Sequence, residues 1–236
     1  IPADRLQALA QGSNPITVTV SDEAGNSTSI SEPLIVDTGV PALTVNPIAT
    51  DGTINEAETA TDLTLSGTVT PGSSVSLALN GQTYDAVVAA DGSWTATVPA
   101  ANLQQLPDGR YDLNVTVTTV SGNVATTPVS VTVDTTAPDF SIAAPAGDGV
   151  LNIAEQAAGF SFSGAGSEGD RVSVTLNGMT YTGTVDGDGN WALAVPPAAL
   201  AGLTNGSSYP VEVTVTDAAG NSSSQNSALT VATTPP

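Results

Sequence analysis

Apolar and polar residues alternate over short segments along most of the chain. Near its end, the segments 172–176 (VSVTL) and 211–215 (VEVTV) carry an apolar residue at every second position. A period of two is typical of strands that bury one face and expose the other. Asn177-Gly178 follows the first of these segments and predicts a two-residue hairpin turn. The pattern therefore predicts β-structure rather than helices.

Residues 136–236 contain seven short segments that are predicted to be strands, separated by turn-forming residues. They lie at 140–144, 160–164, 172–176, 181–185, 191–195, 211–215 and 229–231. The connection at 196–203 (PPAALAGL) predicts one helical turn. Seven strands in a segment of this length are typical of an immunoglobulin-like β-sandwich, whose aromatic residues belong to the core. Tyr111 and Tyr209 open the penultimate strands, where that fold places a tyrosine corner.

The chain contains internal sequence repeats along its whole length. Asp37 and Trp94 recur as Asp134 and Trp191, in both cases 97 positions later. Other loop, turn and strand residues recur with the same spacing, among them an Asn-Gly pair. A fixed spacing of this size indicates tandem structural units, and each unit is the size of one immunoglobulin-like domain.

Three parts follow from this spacing. Residues 1–37 match residues 98–134 and are interpreted as the C-terminal hairpin of a preceding repeat. Residues 38–135 and residues 136–236 are each interpreted as a complete repeat. The predicted fold class is therefore all-β, with tandem immunoglobulin-like β-sandwiches arranged in an extended rod.

The boundaries between repeats share one sequence pattern. Residues 133–138 read VDTTAP and residues 36–41 read VDTGVP, so a strand ends at a lone aspartate and a proline follows. Proline cannot donate a backbone hydrogen bond, and it favours an extended conformation at the residue before it. We therefore expect short, stiff junctions, and we expect the function to reside in them.

The charge balance excludes several kinds of partner. The chain has 23 acidic residues against 3 basic residues, no histidine, and a formal net charge of -20. Nucleic acids and anionic lipid surfaces are bound through Lys and Arg, so neither is an expected partner. No apolar segment approaches the ~20 residues needed to span a bilayer, so no membrane insertion is predicted. The charge favours a soluble, self-repelling protein or a protein that binds cations.

The residue inventory also argues against an enzyme. The chain has neither cysteine nor histidine, so it lacks the residues of thiol catalysis and of the common nucleophile–histidine pairs. Paired carboxylates could hydrolyse glycosides, but here they recur at loop positions of each repeat, which suits a scaffold. We predict no catalytic residue. Without disulfides, such sandwiches rely on their cores or on metal ions.

Four motifs together resemble a known family. They are VDTTAP at 133–138, DGVLNIAE at 148–155, DGDGNW at 186–191 and VTVTDAAGN at 213–221. They look like the bacterial immunoglobulin-like repeats of giant type I-secreted adhesins, and the resemblance covers both repeats and the N-terminal fragment. It implies a stalk segment at the extracellular bacterial cell surface that supports cell adhesion or biofilm formation. It also implies calcium ions (Ca2+) at the junctions between neighbouring repeats of the chain.

The fold indicates where oxygen ligands for calcium would meet. In an immunoglobulin-like sandwich the first loop lies beside the end of the last strand, and the final hairpin turn lies at the opposite pole. The junction between the two repeats therefore collects side chains from both. The predicted ligands there are Asp51, Asn55, Glu58, Asp134, Asp217 and Asn221. Any one of them alone is more often a solvated turn former, but the set favours calcium, which takes about six to eight oxygens.

The other junctions are predicted to bind calcium more weakly. At the first junction Asp37 is present, but Thr119 stands where the last repeat has Asp217. At the far end of the chain, Asp148 and Glu155 are predicted ligands of the equivalent loop, but alanine replaces the junction aspartate. An ion bound there would take more of its ligands from solvent.

Two other functions would use the same fold. One is a carbohydrate- or protein-binding module that acts through the exposed loops of the sandwich. The other is an accessory domain of a secreted hydrolase. A glycan array would distinguish the first from a stalk, and the sequence of the longer protein would decide the second.

The hairpin at residues 1–37 raises a separate question. A lone two-stranded hairpin is marginal in water, because nothing covers its apolar face. We expect this hairpin either to pack against another molecule, which would be self-association through residues 1–37, or to belong to a longer ordered chain.

Overall fold

The computed structural model of the chain describes residues 2–234, apart from the side chain of Thr50. The fold is all-β with a few short helices, which confirms the predicted class. The chain forms two compact units that are interleaved along the sequence. The first comprises Ile1–Ile48, Leu63–Pro99 and Tyr111–Val131, and the second comprises Ala49–Asp62, Ala100–Arg110 and Thr132–Pro236.

Strands dominate the described residues. They are β1 (Gly12–Ser21), β2 (Ser27–Val36), β3 (Leu43–Val45), β4 (Thr53–Ile54), β5 (Leu63–Val69), β6 (Ser74–Leu79), β7 (Gln82–Asp85), β8 (Val87–Val88), β9 (Ser93–Val98), β10 (Gly109–Thr118), β11 (Val124–Val133), β12 (Ser141–Ile142), β13 (Val150–Asn152), β14 (Phe160–Ala165), β15 (Arg171–Leu176), β16 (Met179–Thr184), β17 (Asn190–Val195), β18 (Ser208–Thr216) and β19 (Ser222–Ala232).

Among the described residues, one short helix precedes the first strand, five more of one or two turns connect strands, and a 3-10 turn lies at Pro145–Gly147. The helices are α1 (Ala3–Gln7), α2 (Ala49–Gly52), α3 (Glu56–Thr59), α4 (Ala100–Leu103), α5 (Ile153–Ala158) and α6 (Pro197–Leu200). The helical turn expected in PPAALAGL is thus α6. Within residues 2–234, none of the helices has both the length and the apolar character needed to cross a bilayer.

The second unit contains one complete β-sandwich. Strands β12, β14 and β17 form one sheet, and β13, β19, β18, β15 and β16 form the other in that order. The inward-facing residues of both sheets make one core, in which Trp191 is 3% exposed and Phe162 is also 3% exposed. Thr204 donates its backbone N–H to the Tyr209 hydroxyl at 2.9 Å, which confirms the tyrosine corner expected for this repeat.

The first unit contains the corresponding strands of the preceding repeat. One sheet has the order β3, β5, β9, β8, and strands β7, β6, β10 and β11 pair in a second. Trp94 is 1% exposed, and its indole N–H donates to the Thr44 carbonyl at 3.2 Å. The aromatic residues at these strand positions are therefore part of the core, as the alternation predicts.

The loop after the first strand of each repeat holds more structure than the sequence indicates. The alternation predicts a loop at residues 146–156 (AGDGVLNIAEQ), yet β13 lies within it and pairs in parallel with β19, with Val150 opposite Thr230. Likewise, β4 pairs in parallel with the end of β11, with Ile54 opposite Val133. These pairs are only two or three residues long, too short for a periodic signal. They confirm that the first loop lies beside the end of the last strand.

The hairpin of β1 and β2 leaves its apolar face bare in the first unit. Val18 and Val20 are 54% and 64% exposed, whereas Val115 and Val117, at the same positions of the next repeat, are both 0% exposed. On the other face of the hairpin, side-chain hydroxyl groups form hydrogen bonds across the strands, such as the one between Thr19 and Ser29 at 2.7 Å. Self-association through this segment stays a prediction.

The sandwich of the second unit depends on close approach of two backbones at Gly164. A Cβ atom there would lie 2.0 Å from the Ser141 carbonyl oxygen and 2.7 Å from the Trp191 ring. We predict that Gly164→Ala destabilises this repeat by about 1–3 kcal/mol or more, because backbone cannot move aside as a flexible side chain can. The measurement is urea unfolding followed by Trp191 fluorescence in a Trp94→Phe background.

Gly202→Ala is the matched control, since a Cβ atom at Gly202 meets nothing within 4 Å. Its unfolding midpoint should stay close to that of the parent. Equal midpoints for Gly164→Ala and Gly202→Ala would contradict the packing described above.

Candidate functional site: the junctions between repeats

The turn between β18 and β19 is held by hydrogen bonds between its own residues, Asp217 and Asn221. Asp217 accepts hydrogen bonds from the backbone N–H of Asn221 at 2.9 Å and from the Asn221 side-chain amide at 3.1 Å. The Asp217 N–H in turn donates to the Asn221 carbonyl at 3.0 Å. An aspartate that accepts from the residues after it is a common way to fix a tight turn. The turn therefore holds the Asp217 carboxylate and the Asn221 amide in fixed places.

Asn221 also joins this turn to two other segments of the second unit. Its side-chain N–H donates to the Asp134 carbonyl at 2.8 Å, and its Oδ1 accepts from the Glu56 backbone N–H at 2.9 Å. Asn55 adds a third bond, from its side-chain amide to the Ala219 carbonyl at 3.0 Å. We call the bonds that Asn221 makes to Asp134 and Glu56 the amide clasp. Because Asn221 is only 4% exposed, water cannot readily replace them.

The first unit repeats part of this arrangement. Asn123, at the position equivalent to Asn221, donates its side-chain N–H to the Asp37 carbonyl at 3.0 Å. The Asp37 carboxylate accepts from the Ser121 hydroxyl at 2.6 Å and from the Gln11 side-chain amide at 3.0 Å. The bond from Ser121 is the main cause of a pKa below the ordinary value at Asp37. The aspartate of each VDT motif thus receives an asparagine at its carbonyl oxygen.

Asn55 and Glu58, both predicted calcium ligands, form a capping box at the start of α3. Asn55 Oδ1 accepts from the Glu58 N–H, and the Glu58 carboxylate accepts from the Asn55 N–H, both at 3.0 Å. Asn152 and Glu155 do the same at α5, with both bonds again at 3.0 Å. A capping box satisfies backbone donors that the first turn of a helix leaves without partners. These side chains therefore shape the first loop of each repeat.

Asp108 anchors the junction segment and was not predicted from the sequence. Its carboxylate accepts from the Thr135 backbone and hydroxyl at 2.8 and 2.7 Å, and from the Thr136 hydroxyl at 2.5 Å. The hydrogen bond from Thr136 is the largest cause of a lowered pKa at Asp108, and the bonds from Thr135 follow. Asn205 accepts from the Thr233 N–H at 2.7 Å at the equivalent place of the last repeat. Asp108 and Asn205 both carry a side-chain oxygen that can accept a hydrogen bond. This shared property is the signal in the sequence that could have identified the position.

The remaining predicted ligands of the loops act on their own turns. Asp51 accepts from the Thr53 N–H at 2.8 Å, and Asp148 accepts from the Val150 N–H at the same distance. The Asp134 carboxylate accepts from the Thr136 N–H at 3.2 Å. Each of these bonds uses one carboxylate oxygen and leaves the second oxygen of the same group for other ligands.

One cleft of the second unit brings several predicted ligands together. Asp51, Asn55 and Asp217 line a volume of about 560 Å³, together with Arg171 and Gly220. Within residues 2–234, no three or more His, Cys, Asp or Glu side chains converge as a metal-binding group. A calcium ion in this cleft would therefore take its charge from two lining carboxylates and its other oxygens from amides, carbonyls and water.

A second carboxylate pair lies next to this cleft. The paired residues Arg171 and Thr216 end the register of β15 and β18, and Asp170 and Asp217 are the next residues beyond them. Asp170 is 5% exposed, and its Oδ2 has no hydrogen-bond partner. Burial, and then the charge of Asp217, raise the pKa of Asp170. This residue is not predicted from the sequence, because an aspartate beside a glycine is usually part of an exposed turn.

Comparison with known proteins places these junctions in a family. A family model described as bacterial Ig-like domain matches residues 47–135 and 137–233. One similar structure is a Ca2+-stabilized adhesin that helps an Antarctic bacterium reach out and bind ice. It is 37% identical over 93% of this chain and 57% of its own chain, with a TM-score of 0.46. This chain therefore spans a little over half of that protein's chain.

Two further structures share similar identities. A 1.5-MDa bacterial ice-binding adhesin is 32% identical over 98% of this chain and 78% of its own, with a TM-score of 0.49. A bacterial immunoglobulin-like domain from the M. primoryensis ice-binding adhesin is 36% identical over 41% of this chain and 98% of its own, with a TM-score of 0.32. None of the curated protein sequences compared with this chain matches it.

The family assignment rests on the match to the family model. That match takes in the loop, strands and final turn that build the junction around Asn221, and it covers well over half of the chain. The chain belongs to the family of bacterial Ig-like domains.

Proposed function

We propose that the chain is a structural stalk segment of a secreted bacterial surface adhesin, where it supports cell adhesion or biofilm formation. The observation that carries this proposal is the recurrence of one joint: Asn123 donates to the Asp37 carbonyl and Asn221 donates to the Asp134 carbonyl. A stalk needs the same joint at every repeat, because its task is to hold neighbouring repeats of the chain in place. Similarity to repeats of bacterial adhesins supports the same role.

Calcium at the junctions is the second part of the proposal. Asp51 and Asp217 line one cleft, and a similar protein is described as Ca2+-stabilized. We place the ion between these carboxylates, with Asn55, Glu58, Asp134 and Asn221 holding the surrounding loops. Asp37, Asp148 and Glu155 belong to weaker sites. An affinity in the range of extracellular modules, about 10⁻⁴ to 10⁻³ M, would leave the sites empty before export by type I secretion and loaded outside the cell.

The alternative functions fit the described residues less well. A carbohydrate-binding surface stacks sugars on exposed aromatic rings, but Trp94 and Trp191 are 1% and 3% exposed and belong to the cores. A catalytic role would need carboxylates with distinct environments, one of them poised to donate a proton. The loop carboxylates Asp51 and Asp148 instead make the same turn bond in each repeat, and Asp170, whose pKa burial raises, is only 5% exposed and leaves little surface for a substrate.

The calcium site at the junction predicts an asymmetry between equivalent residues. Asp51→Asn should weaken calcium binding about tenfold, because ligand charge sets affinity in calcium sites. Asp148→Asn, the same change in the last repeat, should have less effect, since Ala232 stands where the preceding repeat has Asp134 and offers no carboxylate. Titration calorimetry with calcium measures both. Equal losses would contradict the assignment of the junction.

The amide clasp predicts a stability effect that is independent of calcium. Asn221→Ala removes the donor to Asp134 and the acceptor for Glu56. We expect a loss of about 1–3 kcal/mol in the free energy of unfolding, because buried backbone groups are left without partners. Asn190→Ala is the matched control: Asn190 closes the turn at Asp186 in the same way, with a bond of 2.9 Å, but it is exposed. An equal loss in the free energy of unfolding for Asn190→Ala and Asn221→Ala would contradict a special role of the amide clasp.

Chelation tests the mechanical role directly. Calcium at ten times its dissociation constant contributes about 1.4 kcal/mol per site, which is enough to bias a hinge but too little to fold a sandwich. We predict that chelation shortens the maximum dimension measured by small-angle X-ray scattering, while the β-sheet signal in circular dichroism is unchanged. Identical scattering curves with calcium and with chelator would count against calcium stiffening.

A further inference from the structure

The outer face of one sheet of the last repeat carries a cluster of hydroxyl side chains around one arginine. Arg171 of β15 lies opposite Thr184 of β16 on one side and opposite Thr216 of β18 on the other. Ser173 and Thr182, which lie opposite each other, form the next row of the same face. Alternate residues of a strand share one face, so these five side chains lie together. We call them the arginine patch.

The arginine patch lines an open cleft. All five of its residues border a volume of about 700 Å³. Arg171, Thr182 and Thr184 are exposed, and Ser173 and Thr216 are half-buried. Neighbouring strands are about 4.8 Å apart and alternate residues of one strand are about 7 Å apart, so the patch measures roughly 10 by 7 Å. A single sugar ring covers an area of this kind.

The polar groups of the patch are available to a ligand. In the part of the chain that the structure describes, neither the Arg171 guanidinium nor any of the four hydroxyls of the patch makes a side-chain hydrogen bond or an ion pair. Elsewhere on the same face the hydroxyls pair with each other. Thr214 and Ser224 are 2.8 Å apart, and Thr175 and Thr180 are 3.4 Å apart. A guanidinium has five N–H donors and each hydroxyl both donates and accepts, so the free hydrogen-bonding capacity of this face is concentrated at the patch.

The charge around the patch differs from that of the whole chain. The chain has 3 basic residues against 23 acidic ones, yet the five strands of this sheet contain one of each, Arg171 and Glu212. Glu212 lies opposite Thr175, roughly 14 Å along the sheet from Arg171, which exceeds the Debye length of about 8 Å in physiological salt. Asp217 shares a neighbouring cleft with Arg171, and Asp170 is buried on the inner face. The outer face of this sheet is therefore locally neutral in a strongly acidic protein.

The preceding repeat lacks the arginine patch. At the equivalent positions Ser74 replaces Arg171, and Asp85 replaces Thr182. The end of β16 has no counterpart in the corresponding sheet either, because β8 pairs with β9 in the other sheet. A serine in place of the arginine and a carboxylate in the next row make that face unsuitable for an anion. The fold therefore does not require the patch, and the two repeats form a natural pair of variants.

We propose that the arginine patch binds a sugar acid, that is, a sugar unit that carries a carboxylate. The guanidinium presents two parallel N–H donors that match a carboxylate, and the hydroxyls on both neighbouring strands can bond the hydroxyls of the sugar. The net charge of -20 opposes a ligand with many negative charges, so a single carboxylate among hydroxyls fits best. Such a site binds through charge and hydrogen bonds and not through stacking. It adds a function to the stalk segment and does not rest on the stalk role.

The experiment is an NMR titration of the full chain with sodium glucuronate. It is done in chelator, so that no calcium ion can join the carboxylate to the protein. We expect saturable shifts of the backbone amides of Ser173, Thr184 and Thr216, with a dissociation constant on the order of 1 mM, because exposed ionic contacts are weak. Glucose has the same ring hydroxyls without the carboxylate and should bind about tenfold more weakly or less.

Two arginine variants separate the patch from the overall charge. Arg171→Ser installs the residue of the preceding repeat and should weaken glucuronate binding about tenfold. Its melting temperature should stay that of the parent, because the Arg171 side chain is exposed. Arg5→Ser is the matched control, since it removes the same charge from the first unit, and it should keep the affinity of the parent.

Four results would overturn the inference. They are the absence of shifts around Arg171 at concentrations well above the expected dissociation constant, equal binding of glucose, unchanged affinity in Arg171→Ser, and an equal loss in Arg5→Ser. A trimer of the same sugar acid then identifies the source of the ligand. Tighter binding of the trimer than of glucuronate assigns the patch to a unit within a polysaccharide, and equal or weaker binding assigns it to a free sugar acid. The stalk proposal is tested by scattering with and without calcium, so the two can fail independently.

Discussion

Two short parallel strand pairs determine where the junction residues lie. Ile54 sits opposite Val133, and Val150 sits opposite Thr230, so in each repeat the first loop is fixed beside the end of the last strand. Without the pair at Ile54, the helix that starts at Glu56 would not lie next to Asp134 and the final turn of the following repeat. The amide clasp and the cleft both depend on this placement. A pairing of two residues thus positions the chemistry of the whole junction.

The clasp explains why the same few residue types recur at the boundaries. Aspartate ends the last strand and offers its carbonyl, and asparagine is the residue whose side chain can donate to that carbonyl while accepting from another amide. In the second unit Asn221 does both, at 2.8 and 2.9 Å. In the first unit Asn123 makes the bond to Asp37, and Ser121 adds a bond to the carboxylate. The repeats therefore share a joint and differ in what reinforces it.

Much of the fold could be predicted from the sequence, because it rests on period-two alternation and on turn chemistry. The hairpin at Asn177-Gly178 has positive φ at both residues, 50° and 77°, as that pair favours. Strands β4 and β13 could not be predicted, since two or three residues show no period. The burial of Asp170 could not be predicted either, because an aspartate beside Gly169 is usually an exposed turn residue.

The structure brings some of the predicted site residues together and shows hydrogen bonds that the sequence did not indicate. Sequence comparison brought Asp51 and Asp217 to one junction, and the structure places both at one cleft. It assigned Asn55 and Asn221 to an ion, whereas the structure has both in hydrogen bonds with the backbone, of Glu58 and Glu56 respectively. The oxygen of a side-chain amide can bind an ion or accept a backbone hydrogen bond. Which of the two it does depends on the groups around it, and the sequence does not show these. Asp108 was not predicted because its hydrogen-bond partners, Thr135 and Thr136, lie 27 and 28 residues away in the sequence.

Residues 49–62 and the last repeat are held together by the Asn221 amide. Amide hydrogen exchange at Glu56 reports on this bond. Glu56 is the first residue of α3, so its N–H has no partner within the helix. Its bond to Asn221 Oδ1 predicts strong protection in the parent and exchange at the rate of an open loop in Asn221→Ala. Rapid exchange at Glu56 in the parent, or protection that survives Asn221→Ala, would contradict the account.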